Sequence, residues 1–276
     1  MPFKTVLAVI GASGAASDIK KAIALGSELE AHLSIVVAGL ALPPNVGDFP
    51  AGTAWLDQRY DELKILDEIR KKAEAECKAS GLSFDVGEVY AETVTLDEEI
   101  YRRALYADVV ILGDGVRGDP QLAKAIINGA VFDAHRPLLL ASKERASTLK
   151  PKRILLGWNS RGEAARAARE ALDMFVSADL VYVVLIDPDS SYWENGGEPG
   201  ADMATYLARH GATVQVEQVA SGGRPVAEVL EQRALDFDCD LIVMGAYGHS
   251  RLRERIFGGV TASILDRCDF PVFLAR

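Results

Sequence analysis

Cysteine is scarce in this 276-residue sequence, which contains three: Cys77, Cys239 and Cys268. The odd number and the lack of a Cys-x-x-Cys spacing argue against a disulfide framework and against a zinc site. Cys239 and Cys268 each lie beside an apolar stretch, so we expect buried, unreactive thiols.

Long hydrophobic runs are also missing. The apolar stretches, such as those within residues 108–113 and 241–245, are far shorter than the ~20 residues that a membrane-spanning helix needs. The N-terminal residues lead directly into a strand-like stretch, without the apolar core and cleavage site of an export signal. We therefore expect a cytoplasmic protein with no membrane partner.

Positive charge is not in excess, since the sequence has 30 Lys and Arg residues against 40 Asp and Glu residues, which gives a formal net charge of −10. A field of this sign repels phosphate backbones, so a nucleic-acid partner is disfavoured. Any bound nucleotide must depend on local hydrogen-bond donors.

What the sequence does contain is a regular alternation of apolar, strand-like segments and amphipathic, helix-like segments. Strands are predicted at residues 4–10, 33–40, 83–90, 109–112 and 137–141, and again at 153–158, 180–186, 213–219, 241–244 and 271–274. Helices are predicted at residues 15–30, 57–80, 94–106 and 122–134, and again at 162–176, 203–210, 226–237 and 252–268.

The second half repeats the first, because residues 5–10 correspond to 153–158 and residues 107–113 correspond to 239–245. Continuous apolar strands that alternate with helices are typical of parallel sheets covered by helices on both faces. We therefore predict an α/β protein with two tandem, open parallel-sheet, Rossmann-like domains.

The predicted domains span residues 1–146 and 150–276, and a charged segment at residues 143–152 links them. The first half is the longer one between the corresponding strands. Residues 42–60, rich in proline, glycine and aromatic residues, are predicted to form a long loop that accounts for the difference.

The strongest local signal is a glycine-rich stretch near the C-terminus. Gly245 and Gly248 follow a predicted buried strand, Gly258 and Gly259 open a helix, and Thr261 places a hydroxyl in its first turn. Glycines let backbone N–H groups approach an anion, and a helix N-terminus adds a favourable dipole. Any one of these glycines alone is better explained by a tight turn or close helix packing, but their joint spacing favours a phosphate site.

This spacing resembles the nucleotide-binding motif of the universal stress protein family, Gly-x2-Gly-x9-Gly followed by Ser, Thr or Asn. Gly245, Gly248 and Gly258 match the three glycines, and the order of strands and helices fits a tandem, two-domain member over essentially the whole chain. The resemblance implies a nucleotide-binding, α-hydrolase-like variant of the Rossmann fold. It also implies an adenine nucleotide, ATP with or without Mg²⁺, and a regulatory role in the stress response without evident catalysis.

Two positions depart from the family pattern. Gly258 is followed by Gly259 instead of Ser or Thr, although Thr261 keeps a hydroxyl nearby, and the acidic residue expected after the domain's first strand is Asn159. An amide can still hydrogen-bond a nucleotide, but it carries no charge. The resemblance implies a nucleotide site made of Asn159, Ser160, Gly245, Gly248, His249, Gly258, Gly259, Val260 and Thr261.

The first half lacks this motif. Its first strand ends in residues 11–13, which contain no carboxylate, and the segment after Gly113 has lost the glycine spacing. Asp114 and Asp119 in that segment would repel a phosphate. Residues 113–118 match Gly-x-Gly-x-x-Gly, but on a late strand instead of the first strand of a dinucleotide-binding unit. We therefore expect one nucleotide per chain, bound in the second half.

No Walker lysine motif, GxSxG elbow or HExxH helix is present. Three hypotheses follow. The protein is a nucleotide-binding regulatory protein, or a nucleotide-free interaction module, which Gly259 and Asn159 would favour, or a slow ATPase or nucleotidyl transferase.

Each half ends in a short apolar strand, and an exposed apolar edge is a hazard that pairing removes. Together with the family resemblance, this predicts that the two halves form an internal pseudo-dimer along their last strands. The resemblance is also compatible with a homodimer of whole chains.

Overall fold

The computed structural model describes residues 3–41, 53–188, 198–246, 259–267 and 269–276, and within these ranges the side chains of residues 53, 54, 259, 266 and 267 are not described. The chain divides into two compact units, a first unit at Phe3–Leu138 and a second unit that contains Leu139–Arg276. Within the described ranges, no helix combines the length and the apolar character that crossing a membrane requires.

The first unit alternates strands with helices. Its strands are β1 (Thr5–Ile10), β2 (His32–Leu40), β3 (Phe84–Ala91) and β4 (Val109–Leu112), followed by β5 (Leu138–Leu140), which begins at the last residue of the unit. Its helices are α1 (Ala15–Leu29), α2 (Thr53–Ser80), α3 (Thr93–Ala104), α4 (Asp114–Arg117) and α5 (Pro120–Ile127), which continues as a π-helical turn at Asn128–Asp133. The strand order is β3-β2-β1-β4-β5, with parallel pairing of β1 to β2, β1 to β4 and β2 to β3.

The second unit has the same plan. Its strands are β6 (Arg153–Gly157), β7 (Leu180–Ile186), β8 (Val214–Val219), β9 (Leu241–Gly245) and β10 (Val272–Ala275). Its helices are α6 (Gly162–Glu170), α7 (Leu172–Ser177), α8 (Ala201–Arg209), α9 (Val226–Asp236) and α10 (Gly259–Arg267). The strand order is β8-β7-β6-β9-β10, and the neighbouring strands pair in parallel. The predicted fold class, two open parallel-sheet α/β units, is confirmed.

The strands differ in burial as their place in the sheet requires. Every residue of β4 is buried, as are the first four residues of β9, because helices cover both faces of these inner strands. The outer strands β3 and β8 carry polar residues at exposed positions, Asp85 and Glu88 in β3 and Gln215 and Gln218 in β8, which suits strands with one unpaired edge.

Several predicted bounds were wrong. Helix α2 begins at Thr53, so the last part of the loop predicted at residues 42–60 is helical. Helix α4 was not predicted, and the helix predicted at residues 122–134 starts earlier and changes to a π-helical turn. The helix predicted at residues 162–176 is interrupted at Ala171, between α6 and α7.

Cys239 is buried, as predicted, and so is Cys77, for which no prediction was made. The other cysteine predicted to be buried, Cys268, lies outside the described residues. Burial raises the pKa of the Cys77 thiol to about 11 and that of the Cys239 thiol to about 12. Because the thiolate is the reactive form, both are unreactive near neutral pH.

Each unit contains a contact that we call a carboxylate clamp. It is formed by Asp108 in the first unit and by Asp240 in the second. One oxygen of Asp108 accepts hydrogen bonds from the backbone N–H groups of Lys4, at 2.6 Å, and Thr5, at 2.8 Å. One oxygen of Asp240 accepts from Lys152, at 2.7 Å, and from the N–H of the following residue, at 3.0 Å. Each clamp ties the start of the central strand to the start of the strand beside it.

We predict that Asp108→Ala and Asp240→Ala each lower the free energy of unfolding by about 1–2 kcal/mol, since each variant leaves two backbone donors without their charged acceptor. Urea titration of the purified variants measures this loss. Similar losses are expected, because the two contacts have the same geometry. An unchanged free energy of unfolding for either variant would show that water replaces the hydrogen bonds of that carboxylate.

Candidate functional site

A cleft of about 610 Å³ opens at the carboxyl ends of β6 and β9 in the second unit. The strand order reverses at this point, since the strand that follows β6 in the chain lies on one side of it and β9 lies on the other. Open α/β sheets bind ligands at such a point, and the volume suits a small molecule. The cleft is lined by Gly157, Trp158, Asn159, Arg161, Glu163, Ala164, Val184, Ile186, Pro225, Val226, Ala227, Leu230, Met244, Gly245, Val260, Thr261 and Ser263.

Three helices begin at the cleft. Residues of the first turns of α6, α9 and α10 belong to its lining, among them Glu163, Val226 and Val260. Backbone N–H groups at a helix start have no partner within the helix, and the helix dipole adds partial positive charge there. The arrangement therefore attracts an anion although the chain as a whole is negative.

One side of the cleft is apolar. Val184 and Ile186 at the end of β7 and Val226 and Leu230 of α9 all belong to the lining. Binding sites for small molecules combine such apolar walls with a few polar groups that fix orientation. The cleft thus has a wall for a flat, apolar ring and helix starts for an anionic group.

Asn159 organises the turn between β6 and α6. Its side-chain oxygen accepts a hydrogen bond from the N–H of Arg161 at 3.1 Å, and its Nδ2 donates to Oε1 of Glu163, also at 3.1 Å. Ser160, between them, has a left-handed backbone with φ of 57°. The amide therefore braces the turn and positions a carboxylate at the cleft.

Gly245 is required by packing. A Cβ atom at this position would lie 2.5 Å from the carbonyl carbon of Glu163 and 2.6 Å from the backbone nitrogen of Ala164. Any side chain here would push the end of β9 away from the start of α6. The absence of a side chain at Gly245 thus brings two walls of the cleft together.

The structure places Asn159, Gly245, Val260 and Thr261 in the lining of this one cleft, and Thr261 is buried. Ser160 lies in the adjoining turn, and Gly259 is the first residue of α10. The remaining predicted site residues, Gly248, His249 and Gly258, lie outside the described residues.

The sequence analysis missed other lining residues, namely Arg161 and Glu163 in the turn into α6, Ser263 in α10, and the residues of α9. Arg161 and Glu163 follow Asn159 so closely that a search of the whole strand-to-helix turn for charged residues would have found them. The α9 residues carry no such signal, because apolar residues at helix spacing are typical of any core-facing helix.

In the first unit, the chain itself fills the corresponding space. A Cβ atom at Gly115 of α4 would overlap the carbonyl oxygen of Ser13, and one at Gly11 would lie 3.3–3.4 Å from side-chain atoms of Leu122 and Val116. Gly14 is left-handed, with φ of 65° and backbone of α4 close by. Helix α4 therefore packs directly onto the turn between β1 and α1, where the second unit has its cleft.

The first unit also supplies its own anions to the exposed N–H groups. Asp18 accepts a hydrogen bond from the N–H of Gly115 at 3.1 Å. Asp119 caps α5, and one of its oxygens accepts from the N–H groups of Gln121 and Leu122, each at 3.1 Å. We expected Asp119 to repel phosphate, and the structure adds that it occupies the helix start that a phosphate would need.

Asp18 is held in an unfavourable environment. It is buried, its Oδ1 has no hydrogen-bond partner among the described residues, and a Cβ at Gly113 would collide with its carboxyl group. Burial raises the pKa of Asp18 to about 6, against the opposing effects of the Gly115 N–H and the charge of Lys21. The charged form is therefore destabilised by the same packing that closes the first unit.

Residues 150–276 match the model of a family described as the Universal stress protein family. No curated protein matches the sequence significantly. Among solved structures, a universal stress protein from Archaeoglobus fulgidus has a TM-score of 0.66 at 16% identity, covering 98% of this chain and 96% of that chain. A functionally unknown protein from Pseudomonas aeruginosa has a TM-score of 0.59 at 15% identity, covering 99% and 92%. Such low identity shows likeness of fold, which here extends over both units.

We predict that Asp18→Asn changes the pH dependence of stability. Since the pKa rises from 3.8 to about 6 on folding, wild-type protein loses stability as the pH rises through this interval, by up to about 3 kcal/mol. The variant carries no titrating group there. Its stability relative to wild type should therefore be greatest above pH 7 and fall as the pH drops through 6, measured by urea unfolding.

Asp57→Asn, at an exposed position of α2, controls for the loss of one negative charge. If the stability difference between Asp18→Asn and wild type did not vary with pH, the Asp18 carboxyl would not be in the environment described.

Proposed function

Since residues 150–276 are a domain of the universal stress protein family, we propose that this domain binds an adenine nucleotide, with ATP as the expected ligand. The protein then acts as a nucleotide-binding regulatory protein of the stress response in the cytoplasm, without evident catalysis. The family resemblance carried by the glycine spacing is confirmed for the second half, and the fold for both.

The observation that carries the proposal is the cleft itself. It combines an apolar wall, from Val184 and Leu230, with the N-terminus of α10, where Thr261 lies in the first turn. An adenine ring requires the first feature, and a phosphate chain requires the second. The glycine spacing of Gly245, Gly248 and Gly258 supports the same assignment from sequence.

Charge supports a local site over a general affinity for phosphates. The chain carries a net charge of −10, so attraction to an anion must come from local groups, namely the backbone donors at the helix starts and Arg161 in the cleft lining. A Mg²⁺ ion, where one takes part, is expected to arrive on the phosphates, as it does in many nucleotide sites.

The proposal includes one nucleotide per chain. Support comes from the first unit, where α4 fills the space and Asp18 and Asp119 accept the hydrogen bonds that a phosphate would otherwise accept. A carboxylate about 4 Å from a phosphate charge costs about 4 kcal/mol at the effective dielectric of a protein surface.

We predict that calorimetric titration with ATP gives a stoichiometry near one, and that Val260→Glu weakens binding at least a hundredfold. The new carboxylate lies in the cleft at the start of α10 and repels the phosphates. A carboxylate at a helix start is itself favourable, so the variant should fold. Val176→Glu, at an exposed position of α7, is the matched control and should bind like wild type.

Adenosine separates the contributions of base and phosphate. ATP at a hundredfold excess over its Kd should stabilise the protein by about 2.7 kcal/mol, and adenosine at the same concentration by clearly less. A stoichiometry of two, or tight binding by Val260→Glu, would place the site elsewhere. No binding of any adenine nucleotide would favour the nucleotide-free interaction module.

We also propose that the two halves form a pseudo-dimer along their last strands. The support is that both strands, β5 and β10, consist of apolar residues and that apolar strand edges seek partners. Fragments 1–146 and 150–276, expressed separately, should then either be soluble and associate on mixing, measured by co-elution in size-exclusion chromatography, or aggregate when each is alone. Two stable monomers that ignore each other would contradict this arrangement.

A further inference from the structure

One negative charge lies within the proposed nucleotide cleft. Among the lining residues that the structure describes, Glu163 is the one with an acidic side chain. It is half-buried in the first turn of α6, and its Cγ lies 2.6 Å from the point that a Cβ of Gly245 would occupy. Glu163 therefore stands beside the end of β9, in the same cleft lining as Val184, Leu230 and Thr261.

The Glu163 carboxylate is held in place and retains capacity to accept hydrogen bonds. Its Oε1 accepts from Nδ2 of Asn159 at 3.1 Å, and an ionised carboxylate has further lone pairs on both oxygens that can accept. Asn159 in turn is fixed, because its oxygen accepts from the N–H of Arg161. The amide at position 159 thus serves as a support, and the carboxylate faces the ligand space.

This carboxylate restricts how a nucleotide can lie in the cleft. It repels phosphates, which are held instead at the start of α10. An ionised carboxylate accepts hydrogen bonds and donates none, so it requires a donor from the ligand. With the base against Val184 and Leu230 and the phosphates at α10, the part of the nucleotide nearest Glu163 is the ribose, whose hydroxyl groups are donors.

We propose that Glu163 accepts a hydrogen bond from a ribose hydroxyl of the bound nucleotide and makes the cleft selective for ribonucleotides over deoxyribonucleotides. The inference rests on the proposed nucleotide-binding function and adds to it the group that selects the sugar. Asn159, where the family pattern has an acidic residue, is in this assignment a positioning residue for a carboxylate supplied four residues later.

The test is calorimetric titration of the full chain with ATP, 2′-deoxy-ATP and 3′-deoxy-ATP. Wild-type protein should bind ATP about tenfold or more tightly than at least one deoxy analogue, since a hydrogen bond to a charged acceptor is lost. The analogue that loses affinity identifies the hydroxyl. This comparison needs no variant and therefore does not depend on how a substitution affects folding.

Glu163→Gln removes the charge and keeps an oxygen that can accept from Asn159. In this variant the preference for ATP over the deoxy analogue should fall to within about threefold, because a neutral acceptor makes a weaker hydrogen bond. Glu170→Gln, at an exposed position on the same helix, is the matched control and should keep the wild-type preference.

The outcomes separate the two proposals. ATP binding with equal affinity for both deoxy analogues, or an unchanged preference in Glu163→Gln, would overturn the role of Glu163 and leave the nucleotide function standing. Absence of binding for all three nucleotides in wild-type protein would overturn both.

Discussion

The candidate site depends on the close approach of β9 to the start of α6. That approach exists because Gly245 has no side chain, since a Cβ there would lie 2.6 Å from the Ala164 nitrogen. It brings the turn that carries Asn159 and Glu163 close to the end of β9, where the glycine-rich stretch of the sequence begins. Residues far apart in the chain thereby line one cleft. The starts of α6 and α10 contribute polar groups to its lining, and α9 contributes apolar side chains.

The two units have the same strand order, but the second has an open cleft at the carboxyl ends of its strands and the first has that space filled. In the second unit the helix starts face an open cleft, whereas in the first unit α4 lies on the turn after β1 and carboxylates of the protein accept from the N–H groups of Gly115 and Gln121. Closing the first unit requires glycine at positions where any side chain would collide. It also buries the charge of Asp18, which weakens the unit near neutral pH.

The sequence was sufficient to predict the strands, their parallel arrangement and the two-unit plan, because buried strands appear as short apolar runs and β4 and β9 are nearly uniform examples. It also named Asn159, Gly245 and Thr261, which the structure places in the lining of one cleft. It did not predict α4, which is one turn long and is held by tertiary packing instead of helix propensity. Nor did it identify Glu163, since its position at the cleft depends on a hydrogen bond and a helix start that appear only when the chain is folded.

The carboxylate clamp has a consequence for synthesis of the chain on the ribosome. Strand β1 is central in its sheet, yet the residue that ties its start, Asp108, is translated long after Thr5. The nascent first unit must keep β1, an apolar strand, incompletely paired until β4 emerges, and pairing between distant segments is slow because loop closure costs entropy. Asp240 repeats the delay for β6 in the second unit. Each unit thus has an interval during its own translation when premature association of apolar strands, or their capture by a chaperone, competes with folding.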